Sequence, residues 1–224
     1  MMNELIVKTK PKSVISEDIR TIRTNLEFSL SDEDKKIIMI TSSAPGEGKS
    51  FISSNLAVAF AQNDKKVLLI DCDLRLGRIH KIFEVSNKRG LSNLIVKYDE
   101  DIDYENYVQK TDIKNLVILS RGAVPPNPSE LLSSKKFEKI IKDFKKIFDY
   151  IILDSVPVNG LPDALVLSKI ADKTIIVSKY GSTDINSLED AKKALENVNA
   201  SISGVVINKV PKARSKYGNY YYGE

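Results

Sequence analysis

The segment Ser43-Ala44-Pro45-Gly46-Glu47-Gly48-Lys49-Ser50 has the spacing GxxxxGK[ST] of a phosphate-binding loop, with Ser43 in place of the first glycine. Such spacing serves one chemistry. Glycines let backbone N–H groups close around phosphate oxygens, and the helix that follows, opened here by Phe51, aims its positive end at them. Lys49 then reaches the β- and γ-phosphates and the Ser50 hydroxyl ligates Mg²⁺. Ser43 through Phe51 therefore read as a nucleotide-binding segment. Two further segments carry acids after apolar runs: Leu68-Leu69-Ile70-Asp71-Cys72-Asp73-Leu74-Arg75 and Ile151-Ile152-Leu153-Asp154-Ser155. Carboxylates at the ends of buried strands are costly to hold without a cation or donors, and a Mg²⁺-nucleotide supplies a cation. Asp154 has the form of a Walker B acid, holding the metal directly or through water. Cys72 reads as a small packing residue, because adjacent carboxylates raise a thiol's pKa, and His80, the single histidine, reads as structural.

These residues need a frame that brings strand ends together. Six short β-branched runs, Ile37–Thr41, Val67–Asp71, Leu116–Ser120, Tyr150–Asp154, Thr174–Ser178 and Gly204–Asn208, are continuously apolar, as in strands buried on both faces. Segments of helical period lie between them. Asn127-Pro128-Ser129-Glu130 offers an Asn N-cap, Pro at the first helical position and Glu three residues on, opening a helix expected to run through Phe148. The alternation predicts an α/β fold: a mainly parallel central sheet with helices on both faces, in a single domain over residues 1–210. Ligands of such sheets sit at the carboxyl ends of the strands, where the acids and the loop are. Residues 16–30 form a leading helix with Ile19, Ile22, Leu26 and Leu30 at helical spacing. Residues 211–224 (PKARSKYGNYYYGE) read as a mobile tail.

Composition bounds the rest. The chain has 224 residues, 42% hydrophobic and 29% charged, which excludes a chain too polar to fold. A net charge of +4 gives no argument for nucleic acid, and one cysteine excludes an internal disulfide framework and a multi-cysteine zinc site. No run is long enough for a signal peptide core or a membrane span, so the expectation is a soluble, cytoplasmic chain. The tyrosines are skewed: four of nine, Tyr217, Tyr220, Tyr221 and Tyr222, lie in the last eight residues.

The loop SAPGEGKS, the segment LLIDCDLR, the stretch GAVPPNPSELL (Gly122–Leu132), IILDSVPV (Ile151–Val158), GVVINKV (Gly204–Val210) and the terminal tyrosine cluster together resemble the bacterial tyrosine kinases (BY-kinases) of capsule and exopolysaccharide synthesis, of the CapB/CpsD type. Glu17-x-x-Arg20-x-x-Arg23 is similar to that family's EX2RX2R oligomerisation motif. Spacing alone leaves these three residues equally open to an exposed i,i+3 ion pair. One departure is Val156, where the family usually has Pro. The resemblance implies transfer of the γ-phosphoryl group of ATP to tyrosine. Asp71 would accept the tyrosine proton or orient that oxygen, and Asp73 and Asp154 would position Mg²⁺, with the roles of Asp71 and Asp73 open to exchange. It also implies Tyr217, Tyr220, Tyr221 and Tyr222 as the phosphorylated residues, a ring-like homo-oligomer, and a transmembrane adaptor of the polysaccharide co-polymerase type that recruits the kinase to the inner face of the cell membrane. A cognate tyrosine phosphatase is a further implied partner. Asn208, ending the last strand, stands where relatives of the fold recognise adenine, and reads equally as a strand-end turn residue.

Partitioning and cell-division ATPases of the MinD/ParA type look similar in their core. Their phosphate loop carries a lysine where this chain has Ala44. Two alternatives to the kinase follow: an ATPase switch of that type, or a non-catalytic ATP-binding partner of a membrane protein.

Overall fold

A computed structural model describes residues 4–30, 37–99 and 103–211. Seven strands form one sheet: β1 (Ile37–Ser42), β2 (Val67–Asp71), β3 (Gln109–Lys110), β4 (Leu116–Leu119), β5 (Tyr150–Asp154), β6 (Lys173–Lys179) and β7 (Ile202–Asn208). Their order is β3-β4-β2-β5-β1-β6-β7. All neighbours run parallel except the short β3, which pairs antiparallel with β4. The six longer strands lie where the apolar runs predict them. β3 has no such run, because a two-residue edge strand buries almost nothing.

Alternation within each run divides the core in two. Ile38, Ile40, Leu69, Ile152 and Val177 point to the face covered by α1 (Ile6–Thr9), α2 (Val14–Ser29), α3 (Lys49–Ala61) and α4 (Ile79–Ile82). Met39, Leu68, Ile70, Leu153 and Ile176 point to the other face. It is covered by α5 (Leu91–Lys97), α6 (Pro128–Leu132), α7 (Lys135–Ile147), α8 (Asp163–Ser168) and α9 (Ile185–Asn197). Strands clothed on both faces have no polar side to display, which explains their unbroken apolar character. β7 departs from that expectation: as the edge strand it leaves Val205 and Ile207 exposed.

Two helices correct the expected bounds. The leading helix begins at Val14 rather than residue 16, because the Ser13 side chain accepts from Ser16 N and caps it. The segment after Asn127 is two helices, not one. Ser134 stops α6 and starts α7: its N–H donates to Leu131 O, and its side chain accepts from Phe137 N at 3.3 Å. Serine competes for backbone partners in this way, so Ser133-Ser134 breaks the run. Asn127 occupies the N-cap position with Pro128 first in the helix, but its side chain donates to Glu130 Oε2 instead of capping. On α7 the apolar face Phe137, Ile140, Ile141 and Phe144 is buried, each side chain contributing about 1.5–3 kcal/mol. Among the described residues no helix is long and apolar enough to cross a membrane.

Candidate active site at the carboxyl edge of the sheet

β1 ends at Ser42, and the chain turns through Ser43–Gly48 into α3. Gly48, the residue before α3, has φ of +104°, and a Cβ there would lie 2.0 Å from Asn208 Nδ2; only glycine fits. Glu47 is folded back into the loop and almost fully buried. Its carboxylate accepts from Ala44 N at 2.9 Å, from Ser43 Oγ at 3.2 Å and from the Thr183 hydroxyl. This ties the loop to the segment after β6. Asn208 braces it from the last strand, donating from Nδ2 to Glu47 O at 2.9 Å. Lys209 Nζ donates to Gly46 O at 3.4 Å. Lys49 is only 9% exposed. Burial pushes its ammonium pKa down, and the carboxylates of Asp154, Asp73 and Glu47 push it back up.

The acids converge from two adjacent strands. Asp71 and Asp154 are register partners across β2 and β5, and both are buried. Ser50 Oγ donates to Asp154 Oδ2 at 2.7 Å and Ser53 Oγ to Oδ1 at 3.0 Å. Burial raises the Asp154 pKa to about 6, against the opposing pull of Ser50, Lys49 and Ser53. Asp71 is raised too, first by burial and then by the Asp154 charge. Its Oδ2 accepts from Ile79 N at 3.1 Å, while its buried Oδ1 has no partner. Cys72, between the acids, is buried in the core with its thiol pKa pushed well up by burial and then by Asp71, which suits packing rather than nucleophilic attack. An orphaned carboxylate oxygen beside a second carboxylate is the environment that a divalent cation neutralises. Among the described residues no three His, Cys, Asp or Glu side chains form a metal cage. Mg²⁺ needs only one or two carboxylates beside substrate phosphates and water.

Beyond β2 the chain forms a tight loop. Asp73 Oδ1 accepts from Arg75 N at 3.2 Å and Leu76 N at 2.8 Å. Gly77 passes so near Asp71 that a Cβ would lie 2.2 Å from its Oδ1 and 2.5 Å from its Oδ2. Arg75 leaves the loop to reach the buried carboxylate of Asp163, which also accepts from the Ser129 hydroxyl on α6. Asp163 thus joins the loop after β2 to the PPNPSELL segment. A cleft of about 1300 Å³ runs over these parts. The phosphate loop, Asp73 to Arg78, the segment after β5 and the end of β7 line it, as does the exposed side of α1 and α2. Its volume exceeds the ~300–1,000 Å³ of an ordinary ligand pocket.

The structure places the remaining sequence-derived residues unevenly. Glu17 and Arg20 pair with each other on α2, and Arg20 also donates to Pro11 O. Arg23 donates to Ala59 O and pairs with Glu27, so it fastens α2 to α3. The tyrosines Tyr217, Tyr220, Tyr221 and Tyr222 lie outside the described residues.

Residues 35–207 match the family model described as an AAA domain. The tyrosine-protein kinase YwqD of Bacillus subtilis (strain 168) is 42% identical over 224 residues, spanning 100% of this chain and 92% of that protein. The chain belongs to the bacterial tyrosine-protein kinase family. The kinase family also includes longer chains: the tyrosine-protein kinase Etk of Escherichia coli (strain K12) is 35% identical over 94% of this chain but only 28% of its own length. The crystal structure of the chimerical protein CapA2B2 superposes with a TM-score of 0.88 at 37% identity, covering 94% of this chain and 92% of that one. Likeness to the cell division ATPase MinD of Pyrococcus furiosus, TM-score 0.64 at 24% identity over 77% of this chain and 71% of that one, shows the fold alone.

Sequence reasoning missed Ser53, Asp163 and Thr183. Ser53 carried a usable signal, since it lies one turn after Ser50 and shares its face of α3. Asp163 and Thr183 gave none, because each works through a partner more than 30 residues away.

Proposed function

We propose that this chain is an ATP-dependent tyrosine autokinase whose catalytic part is residues 1–210 and whose substrate is its own segment 211–224. The observation that carries this is one arrangement: Lys49, Ser50 and Asp73 line a cleft with room for more than a nucleotide, and Asp154, bonded to Ser50, and its register partner Asp71 are buried beside it. Backbone N–H groups of residues 46–50 and the Lys49 ammonium would hold the phosphates. Ser50 and Asp154 would hold Mg²⁺ together with phosphate oxygens, and the ion supplies charge neutralisation at the transferring group. The acceptor phenol oxygen bonds to the γ-phosphorus as the bond from that phosphorus to the β,γ-bridging oxygen breaks. ADP leaves and the phenol proton passes to a carboxylate. Asp73 lines the cleft, whereas Asp71 is sealed behind it, its carboxyl pKa pushed up by burial. Variants Asp71→Asn and Asp73→Asn decide between them: the proton acceptor is the one whose loss removes the acidic limb of the kcat–pH profile.

The tail suits this cleft. From Lys209 to Glu224 it has four basic residues against one acid, a net charge of +3 toward an acidic site. Each phosphotyrosine adds about −1.5 to −2, so four modifications reverse its sign and release it. Following the family, the kinase works in capsule or exopolysaccharide synthesis and export, acting in trans within a ring held partly by Glu17, Arg20 and Arg23. A transmembrane adaptor recruits it from the cytoplasm, and a tyrosine phosphatase resets it. For a role at that interface, Glu17 and Arg20 must exchange their pairing within α2 for a neighbour's groups.

The test is phosphotyrosine detection after incubation with Mg-ATP and a cytoplasmic adaptor peptide, with Lys49→Met as control. The variant Tyr217→Phe/Tyr220→Phe/Tyr221→Phe/Tyr222→Phe should bind ATP normally and lose the signal. Undiminished phosphotyrosine sinks the tail as substrate; ATP turnover without phosphotyrosine makes the chain a switch of the MinD type.

A further inference from the structure

A second, smaller cavity of about 280 Å³ lies away from the phosphate loop, on the β3–β4 side of the sheet. Lys88, Arg89, Asn93, Lys97 and Tyr107 line it. Among the described residues, three cations line it and no carboxylate does. Among the described residues none of the three makes an ion pair. Asn93 and Lys97 stand four apart on α5 and so face the same way.

The loop that carries Lys88 and Arg89 is held rigidly. Gln109 on β3 clamps it in both directions, accepting from Ser86 N and donating to Ser86 O, each at 2.7 Å. Asn87 does the same with Gly122, accepting from its N–H at 3.0 Å and donating to its carbonyl at 3.2 Å. Asn93 Oδ1 accepts from Gly90 N and Ala123 N, each at 3.2 Å, and among the described residues its Nδ2 has no partner. Three side-chain amides therefore hold the backbone on either side of Lys88 and Arg89, whose side chains are exposed.

The lining selects the kind of anion. A guanidinium fork suits a phosphate bidentately and lysines add point charges. Tyr107, mostly buried, is the single aromatic ring of the lining. We infer that this cavity binds a phosphotyrosine of the chain's own segment 220–222, holding the product away from the catalytic cleft. The inference rests on the proposed self-phosphorylation. Reach permits it: nine to eleven residues beyond Pro211 extend at most roughly 30–37 Å. The five strand spacings from β7 to β4 come to about 24 Å.

The test uses a synthetic peptide of residues 211–224 carrying phosphotyrosine at positions 220–222, added to the full chain without ATP, so the kinase reaction is not needed to make the ligand. Calorimetric titration is expected to show binding that phenyl phosphate competes and the unphosphorylated peptide does not. Arg89→Ala and Lys97→Ala should each weaken it at least about tenfold, the loss of a charge-assisted contact, with ATP affinity and melting temperature unchanged. Equal binding by wild type and the Arg89→Glu variant overturns the inference, as does equal binding of the unphosphorylated peptide. Inorganic phosphate competing as well as phenyl phosphate reduces the cavity to an anion patch without aryl recognition and also refutes it. Binding here with no phosphotyrosine in the kinase assay would sink the proposed function while leaving the cavity's chemistry in place.

Discussion

Gly77 gives the sharpest handle on the strand-end acids. Replacing it by alanine adds one methyl group 2.2 Å from Asp71 Oδ1, 2.5 Å from Oδ2 and 2.5 Å from Asp73 O, where real Cβ contacts start at 3.0 Å. The carboxylate and the loop must separate by at least about 0.8 Å, the difference between 3.0 and 2.2 Å. Asp71 cannot give way cheaply. It is fully buried, and its bond from Ile79 N is the one hydrogen bond that satisfies it among the described residues. Breaking that bond leaves a buried acceptor unpaired and costs about 1–3 kcal/mol, or several degrees of melting temperature for a chain of this size. A displacement near 1 Å in a reacting constellation costs on the order of 10²-fold in rate. Gly77→Ala is therefore expected to fold, to bind ATP nearly normally through the phosphate loop, whose own hydrogen bonds it leaves in place, and to lose about 10²-fold in autophosphorylation. Nucleotide titration, thermal melting and a timed phosphotyrosine assay read the three quantities. Wild-type turnover with an unshifted melt would refute the argument that Asp71's position governs the chemistry.

Other perturbations separate the remaining parts. Asp154 has its pKa raised by burial from 3.8 to about 6, so the stability it contributes is complete below pH 3.8 and is lost as pH rises through 6. In the nucleotide-free protein Asp154→Asn should raise the melting temperature at pH 8 by several degrees, about 3 kcal/mol at most, with the gain vanishing towards pH 4; a gain independent of pH would contradict this. Asn208→Ala removes the 2.9 Å brace on Glu47 O and should weaken ATP binding about three- to tenfold, measured by titration, without unfolding the sheet. Asp163→Asn loosens Arg75 and Ser129 from one anchor, and turnover should fall about tenfold while ATP affinity holds within about twofold. Equal loss of both would mean that Asp163 supports the whole fold rather than the loop.

What could be read from sequence follows from how local each signal is. The phosphate loop is legible because its glycines, Lys49 and Ser50 act through backbone spacing within eight residues. Asp71 and Asp154 are legible because an acid ending an apolar run has few other places to be. Their meeting as register partners is tertiary, as is the closing of Glu47 on Thr183 across 136 residues. The single long helix expected after Asn127 failed for a local reason: apolar period alone cannot see that Ser134 prefers to cap a new helix. β3 and α1 are too short to leave a periodic trace; they exist because the edge of β4 and the buried amide of Asn55 offer them hydrogen bonds.

The clasp between Asn208 and the phosphate loop links two properties that are usually separate. The strand that hands the chain over to its tyrosine-bearing end finishes on the same amide that props up the Glu47 carbonyl, and the next residue, Lys209, touches Gly46. Any load drawn along that end therefore acts first on the cradle for the nucleotide. Occupancy of the cradle must in turn change the slack available to the chain by an equal coupling free energy. Enzyme and tether share a single hinge pin.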